Sequence, residues 1–170
     1  MKLNSKVKMA SVLLLLIVMI QACKSDNGSY QMDNQAFVNQ ISNINNFQIA
    51  AGSLGKTKAS SAVTKQYADR MVTEFTNHNT EIKSLASSKG WTVSSSLETE
   101  QQTRLTALQV LNGAAFDEEY KQVMVSSHQE ALDLFNTSSG NNGVRDADLR
   151  NYAANKLILI KSQLEEAQAL

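Results

Sequence analysis

The stretch "FDEEYKQVMVSSHQEALDLF", Phe116 to Phe135, decides the fold. Tyr120, Met124, His128, Ala131 and Phe135 return at three- and four-residue steps, the spacing that places side chains on one face of an α-helix. Asp117 is read as the cap of that helix, its carboxylate accepting hydrogen bonds from the first free backbone N–H groups. No alternation of the strand type competes with this rhythm.

The same rhythm extends on both sides. Asp33 can cap a first helix carrying Phe37, Ile41, Ile44, Gln48 and Ala51. A second helix carries Val63, Tyr67, Met71, Phe75, His78, Ile82 and Leu85, and Gly90 can end it in the left-handed conformation. The linker "WTVSSS" leads to a shorter helix, Leu97 to Asn112, with Leu105, Leu108 and Leu111 on one side and Gly113 closing it. The run "NTSSGNNGV" reads as a turn-rich loop. Asp146 then opens a last helix with Leu149, Ala153, Leu157, Ile160, Leu164 and Ala167 facing inward. The chain contains no proline, a residue that costs about 3 kcal/mol inside a helix, so long helices are permitted throughout. Two helical hairpins joined by a long crossover make an all-α fold, the ferritin-like variant of the four-helix bundle. A short extra helix sits in the crossover between helices 2 and 3.

The N-terminus reads as an address. Lys2, Lys6 and Lys8 precede an apolar run from Ala10 to Ile20, interrupted only by Ser11. That run is shorter than the roughly 20 residues needed to span a bilayer. Basic start, short apolar middle and small Ala22 before Cys23 describe a secretory signal peptide, residues 1–22. "MIQAC" looks like a bacterial lipobox, with Cys23 as the residue that receives the lipid; an uncleaved anchor is the alternative. Cys23 is the only cysteine among 170 residues, so no internal disulfide is available, and lipidation would remove an otherwise reactive thiol from an exported protein. Residues 23–32 are then the lipidated cysteine and a flexible tether, and residues 33–170 the bundle. "CKSDN" resembles the Lys/Ser/acidic export signal of Bacteroidota surface lipoproteins; an ordinary polar linker is the competing reading.

The full chain has 16 basic and 16 acidic residues. Removing the signal peptide takes away three lysines and leaves a mildly acidic domain, which gives no reason to expect nucleic-acid binding. The expected partners are the membrane, reached through lipid on Cys23, and an unidentified protein. The expected location is the outer membrane, facing either the periplasm or the surface.

Over most of Asp33 to Leu170 the chain resembles the domain-of-unknown-function family numbered 4142, bacterial envelope proteins with a ferritin-like bundle. The resemblance is carried by "DNQAFVNQISNINNFQIAAGSLGKTKA", "YADRMVTEFTNH", "AAFDEEYKQVMVSSHQEALDLF" and "LRNYAANKLILIKSQLEEAQAL". Its most specific piece is "FDEEY" followed by "SSHQEALDLF", similar to the family's Phe-Asp-x-x-Tyr pattern and the His and Phe that come after it. Typical members place a Glu in the first helix and a His in each of the next three, all pointing inward as ligands would. The matching positions here read Gln48, Phe75, His128 and Gln163, so only His128 agrees. The resemblance therefore implies a degenerate metal site.

The residues alone lead the same way. A di-iron bundle needs inward Glu residues and two Glu-x-x-His pairs. His78 is preceded at that spacing by Phe75, and His128 by Val125. Zinc takes about four nitrogen, sulfur or carboxylate ligands, and the chain offers two histidines with its cysteine committed elsewhere. The alternative is a displaced iron or zinc site on Glu74, His78 and His128, with Gln48 and Gln163 nearby. Otherwise the two imidazoles are mid-bundle groups hydrogen-bonded to Gln48, Gln163 or neighbouring hydroxyls. No Gly-x-Ser-x-Gly elbow supports a hydrolase. "GSLGKTK", Gly52 to Lys58, lies inside a helical pattern and lacks the spacing of a phosphate loop; its glycines suit close helix approach instead. The expectation is a lipid-anchored envelope protein, a non-catalytic binding or structural module without a cofactor. A metal-binding or redox stress-response bundle is the alternative.

Overall fold

The computed structural model describes residues 30–170. Cys23, the expected signal peptide and most of the expected tether lie outside them. Five helices follow in order: α1 (Asn34–Lys58), α2 (Ala62–Lys89), α3 (Thr99–Gln109), α4 (Gly113–Ser139) and α5 (Ala147–Gln168). Among the described residues the architecture is all-α.

Local chemistry sets the boundaries. The Asp33 carboxylate accepts from the N–H groups of Gln35 and Ala36 at 2.8 and 3.2 Å. Asp146 does the same for Asp148 and Leu149 at 2.8 and 3.1 Å. Both caps satisfy backbone donors that a helix start leaves free. Gly90 ends α2 at φ 76°, and the Trp91 N–H closes the turn on the Ala86 carbonyl at 3.0 Å. That is the glycine-dependent helix stop the sequence suggested.

Cross-helix contacts give the topology. Phe37 meets Phe135 edge-on at 6.2 Å, and Gly55 lies against Tyr120, so α1 and α4 run antiparallel. Lys89 pairs with Asp146 at 2.9 Å and Lys156 with Glu81 at 2.6 Å, so α2 and α5 also run antiparallel. Within the hairpins, α1 packs on α2 and α4 on α5. These relations make α2 and α4 parallel, and a parallel pair needs a connection as long as the bundle. Residues 90–112 supply it, with α3 inside.

The crossover is fastened along α1. Gln35 exchanges two hydrogen bonds with the Thr92 backbone at 2.8 and 3.0 Å. The Glu98 N–H donates to Asn43 at 2.9 Å, and the Lys58 ammonium donates to the Leu111 carbonyl at 3.3 Å. Four-helix topology and extra helix both follow the expected pattern.

The core runs the length of the bundle. Phe37, Phe47, Phe75, Phe116 and Tyr120 are buried, and burying each such side chain contributes about 1.5–3 kcal/mol. Gly52 and Gly55 let the first hairpin close. A Cβ on Gly55 would stand 2.6 Å from the Ala68 Cβ, and one on Gly52 would stand 2.9 Å from the Ala68 carbonyl oxygen. Both distances are below van der Waals contact, so only hydrogen fits there.

Several boundaries differ from the sequence reading. The third helix begins at Thr99 and ends at Gln109 rather than running from Leu97 to Asn112. Gly113, at φ 63°, makes the turn into α4 instead of closing α3. Asp117 does not cap its own helix, which begins a turn earlier at Gly113. Its carboxylate accepts instead from the backbone N–H groups of Ser60 and Ser61, at 3.1 and 2.9 Å, where α2 starts. Asp117 thus has capping chemistry, applied to a different helix. Val63, expected inside, is 61% exposed because it sits at the unpacked first turn of α2. Gln31 and Met32 are not free tether: the Gln31 N–H donates to the Asn142 carbonyl at 2.8 Å, and the Met32 N–H donates to that of Gly143 at 3.2 Å.

Candidate functional site

The polar interior of the bundle centres on His128, which is fully buried on α4. Its Nε2 lies 2.6 Å from the Tyr67 hydroxyl of α2. The neutral imidazole and the phenol share one buried hydrogen bond through Nε2. Phe75, two helical turns further along α2, packs against both imidazoles, with ring centroids 5.1 Å from His78 and 5.9 Å from His128. Tyr120 sits edge-on to Tyr67 at 6.3 Å and stacks on Phe116 at 5.4 Å. Aromatic rings therefore pack against the histidine.

The two glutamines expected around His128 are occupied elsewhere. Gln48 donates from Nε2 to the Ser127 hydroxyl at 3.0 Å, bridging α1 to α4. Gln163 donates to Glu74 at 2.6 Å, bridging α5 to α2. Glu74 lies on the flank, 3.8 Å from the Arg70 guanidinium. Gln48 Oε1, Gln163 Oε1, His128 Nδ1 and the Tyr120 hydroxyl are buried without a protein partner. The hydroxyl that His128 uses belongs to Tyr67, which the sequence reading placed in the core without a role. The partner is missed because it comes from another helix, and helical spacing reports only on residues sharing a face.

The electrostatics follow from burial. Desolvation pushes the His128 pKa down to about 3. His78 is pushed down to about 4, first by burial and then by the Lys156 charge, against an opposing contribution from Glu81. Burial also raises the Tyr67 phenol far above its usual range, with Tyr120 and Glu166 adding to the effect. At neutral pH the interior therefore holds neutral imidazoles and neutral phenols. A general base works best with a pKa near the operating pH, and His128 is far below it.

The residues at the family's ligand positions do not fit a metal of the kind that resemblance implies. Gln48 and Gln163 carry weak amide donors, and Phe75 contributes a phenyl ring. Among the described residues no group of three His, Cys, Asp or Glu side chains is placed to share an ion. Glu74, His78 and His128 accordingly do not converge. Glu74 is held by Gln163, and the Phe75 ring packs on both histidines.

A depression of about 340 Å³ opens between the start of α2 and the end of α5, lined by Val63, Gln66, Tyr67, Arg70, Glu166 and Leu170 among others. Arg70 pairs with Glu166 across it and lies 5.7 Å over the Tyr67 ring. Tyr67 thus joins this end of the bundle to the buried histidine.

The family model described as "Domain of unknown function (DUF4142)" matches residues 21–170. This chain belongs to that family. The match spans the whole DUF4142 bundle, from the first helix to the last, and agrees with the resemblance carried by the helix sequences. No curated protein and no solved structure matches this DUF4142 chain.

Proposed function

We propose that this DUF4142 protein is a lipid-anchored component of the bacterial cell envelope whose bundle acts as a non-catalytic binding or structural module. The observation that carries the non-catalytic part is the interior: Phe75 packs on both imidazoles, and Gln48 and Gln163 are committed to Ser127 and Glu74. The interior of such a bundle offers an ion too few strong donors, and burial holds its two imidazoles neutral. Support for the anchor comes from the sequence, where three lysines, the Ala10–Ile20 run and "MIQAC" lead to Cys23. Lipid burial is worth about 0.8 kcal/mol per CH₂, so several acyl chains hold a protein durably. In this proposal the protein sits at the outer membrane, and its partner is another protein.

Two measurements test the reading. The purified full-length protein is equilibrated with iron(II), zinc and manganese, dialysed, and assayed for bound metal. The expected result is less than stoichiometric binding, unchanged in His128→Ala. A stoichiometric ion lost in that variant overturns the non-catalytic module in favour of a metal or redox bundle. Separately, cells expressing the wild type should incorporate labelled fatty acid into the protein, and Cys23→Ala should abolish the label. Persistent label in Cys23→Ala, or none in the wild type, defeats the anchor.

A further inference from the structure

The two ends of the bundle are not equivalent with respect to the anchor. One end holds the N-terminus of α1, the Gly90–Trp91 turn and the loop from Gly140 to Asp146. The other holds the start of α2, the turn at Gly113 and the C-terminus of α5. The chain enters at the first of these. Gln31 and Met32 hydrogen-bond to the carbonyls of Asn142 and Gly143, Met32 bridges to Val144 in parallel, and the Arg145 guanidinium lies 5.9 Å over the Tyr30 ring.

Only seven peptide steps separate Cys23 from Tyr30. Fully extended they reach at most about 25 Å. Helix α1 has 25 residues, which at about 1.5 Å per residue is roughly 37 Å. The tether is therefore shorter than the bundle. A molecule standing with its α2-start end on the membrane would hold Tyr30 farther from the lipid than the chain can span.

We infer that the end formed by the Gly90–Trp91 turn, the 140–146 loop and Tyr30–Met32 faces the lipid surface, and that the opposite end projects away from it. This inference rests on the lipid-anchor reading of Cys23. It deepens that reading by naming which surface meets the bilayer. The projecting end carries the depression lined by Val63, Arg70, Glu166 and Leu170, and is the surface presented to a partner in the aqueous space.

The test uses full-length lipidated protein on phosphatidylethanolamine–phosphatidylglycerol vesicles carrying a headgroup-attached acceptor dye. A donor dye is placed either at Asn141→Cys, on the membrane-facing loop, or at Val110→Cys, near the projecting end. Both native residues are exposed. Energy transfer from position 141 should be at least double that from position 110. Lengthening the tether by a flexible insert after Asn27, longer than the bundle itself, should abolish the difference. Equal transfer, or stronger transfer from position 110, on protein that still floats with vesicles overturns the orientation alone. Failure of the unlabelled wild type to float, with Cys23→Ala behaving identically, overturns the anchor and the orientation with it.

Discussion

Lowering the pH from 6.5 to 5 is expected to remove about 3 kcal/mol of folding stability, because two buried imidazoles each forfeit up to about 1.4 kcal/mol per pH unit once the unfolded rings are protonated. In the unfolded chain both histidines take up a proton near 6.5. In the folded bundle burial holds His78 off until about 4 and His128 until about 3. Over the interval between, the unfolded state binds more protons, so stability falls as pH falls and levels off only below the folded values. His78 is 5% exposed and His128 not at all, so the effect is that of desolvated rings. The charged neighbours of His78 are Lys156, which opposes protonation, and Glu81, which favours it. Asp146 works in a separate window. Burial alone would raise its pKa, but the Lys89 ammonium and the backbone N–H groups it caps outweigh that and hold it below the usual carboxylate value. Its stabilising contribution is therefore lost as the pH falls through the ordinary carboxylate range and below it. Urea midpoints between pH 7.5 and 5 measure the effect. His128→Gln should show about half the wild-type slope, and a wild-type midpoint that stays flat over this range refutes the assignment.

Phe75→Ala should destabilise the bundle by about 3–5 kcal/mol, the usual cost of emptying a buried phenylalanine site. The ring is 1% exposed and touches both histidines, so its loss removes packing from α2 on both sides. Phe75→Leu keeps most of the volume and should cost less than about 1.5 kcal/mol. Thermal or urea unfolding separates the two variants, and equal stability of Phe75→Ala and wild type would show that the ring fills no essential space. The two predictions are linked. Space opened beside His128 admits water, which relieves its desolvation, so the residual acid sensitivity of Phe75→Ala should be smaller than that of the wild type.

The sequence was most legible where cause and effect are neighbours. Asp33 and Asp146 cap the helices that follow them, and Gly90 stops the helix that precedes it, because each acts on backbone within a few residues. Helical spacing likewise placed Phe37, Phe75, Met124 and Ile160 in the core. Legibility failed where the partner is distant in sequence. The carboxylate of Asp117 has capping chemistry, but its donors are Ser60 and Ser61, brought to it only when the first hairpin and the crossover close on the same end. Tyr67 could be read as a core aromatic, but its bond to His128 depends on the parallel packing of α2 and α4. Gln48 and Gln163 were placed at inward positions, and their actual partners, Ser127 and Glu74, again come from other helices. The apolar rhythm makes the third helix look longer than it is, because Leu97 before it and Leu111 after it keep the spacing and both still pack on the core.

Positions 55 and 68 share a single methyl group between them. With hydrogen at Gly55, the Ala68 side chain and the Tyr120 ring occupy the remaining space, so the separation of two backbones and the seat of a third helix are fixed by the same small volume. A change of size at either position is therefore not a local matter. It alters the distance across the first hairpin and moves the aromatic wall behind Tyr67, so the two sites can drift only as a compensating pair.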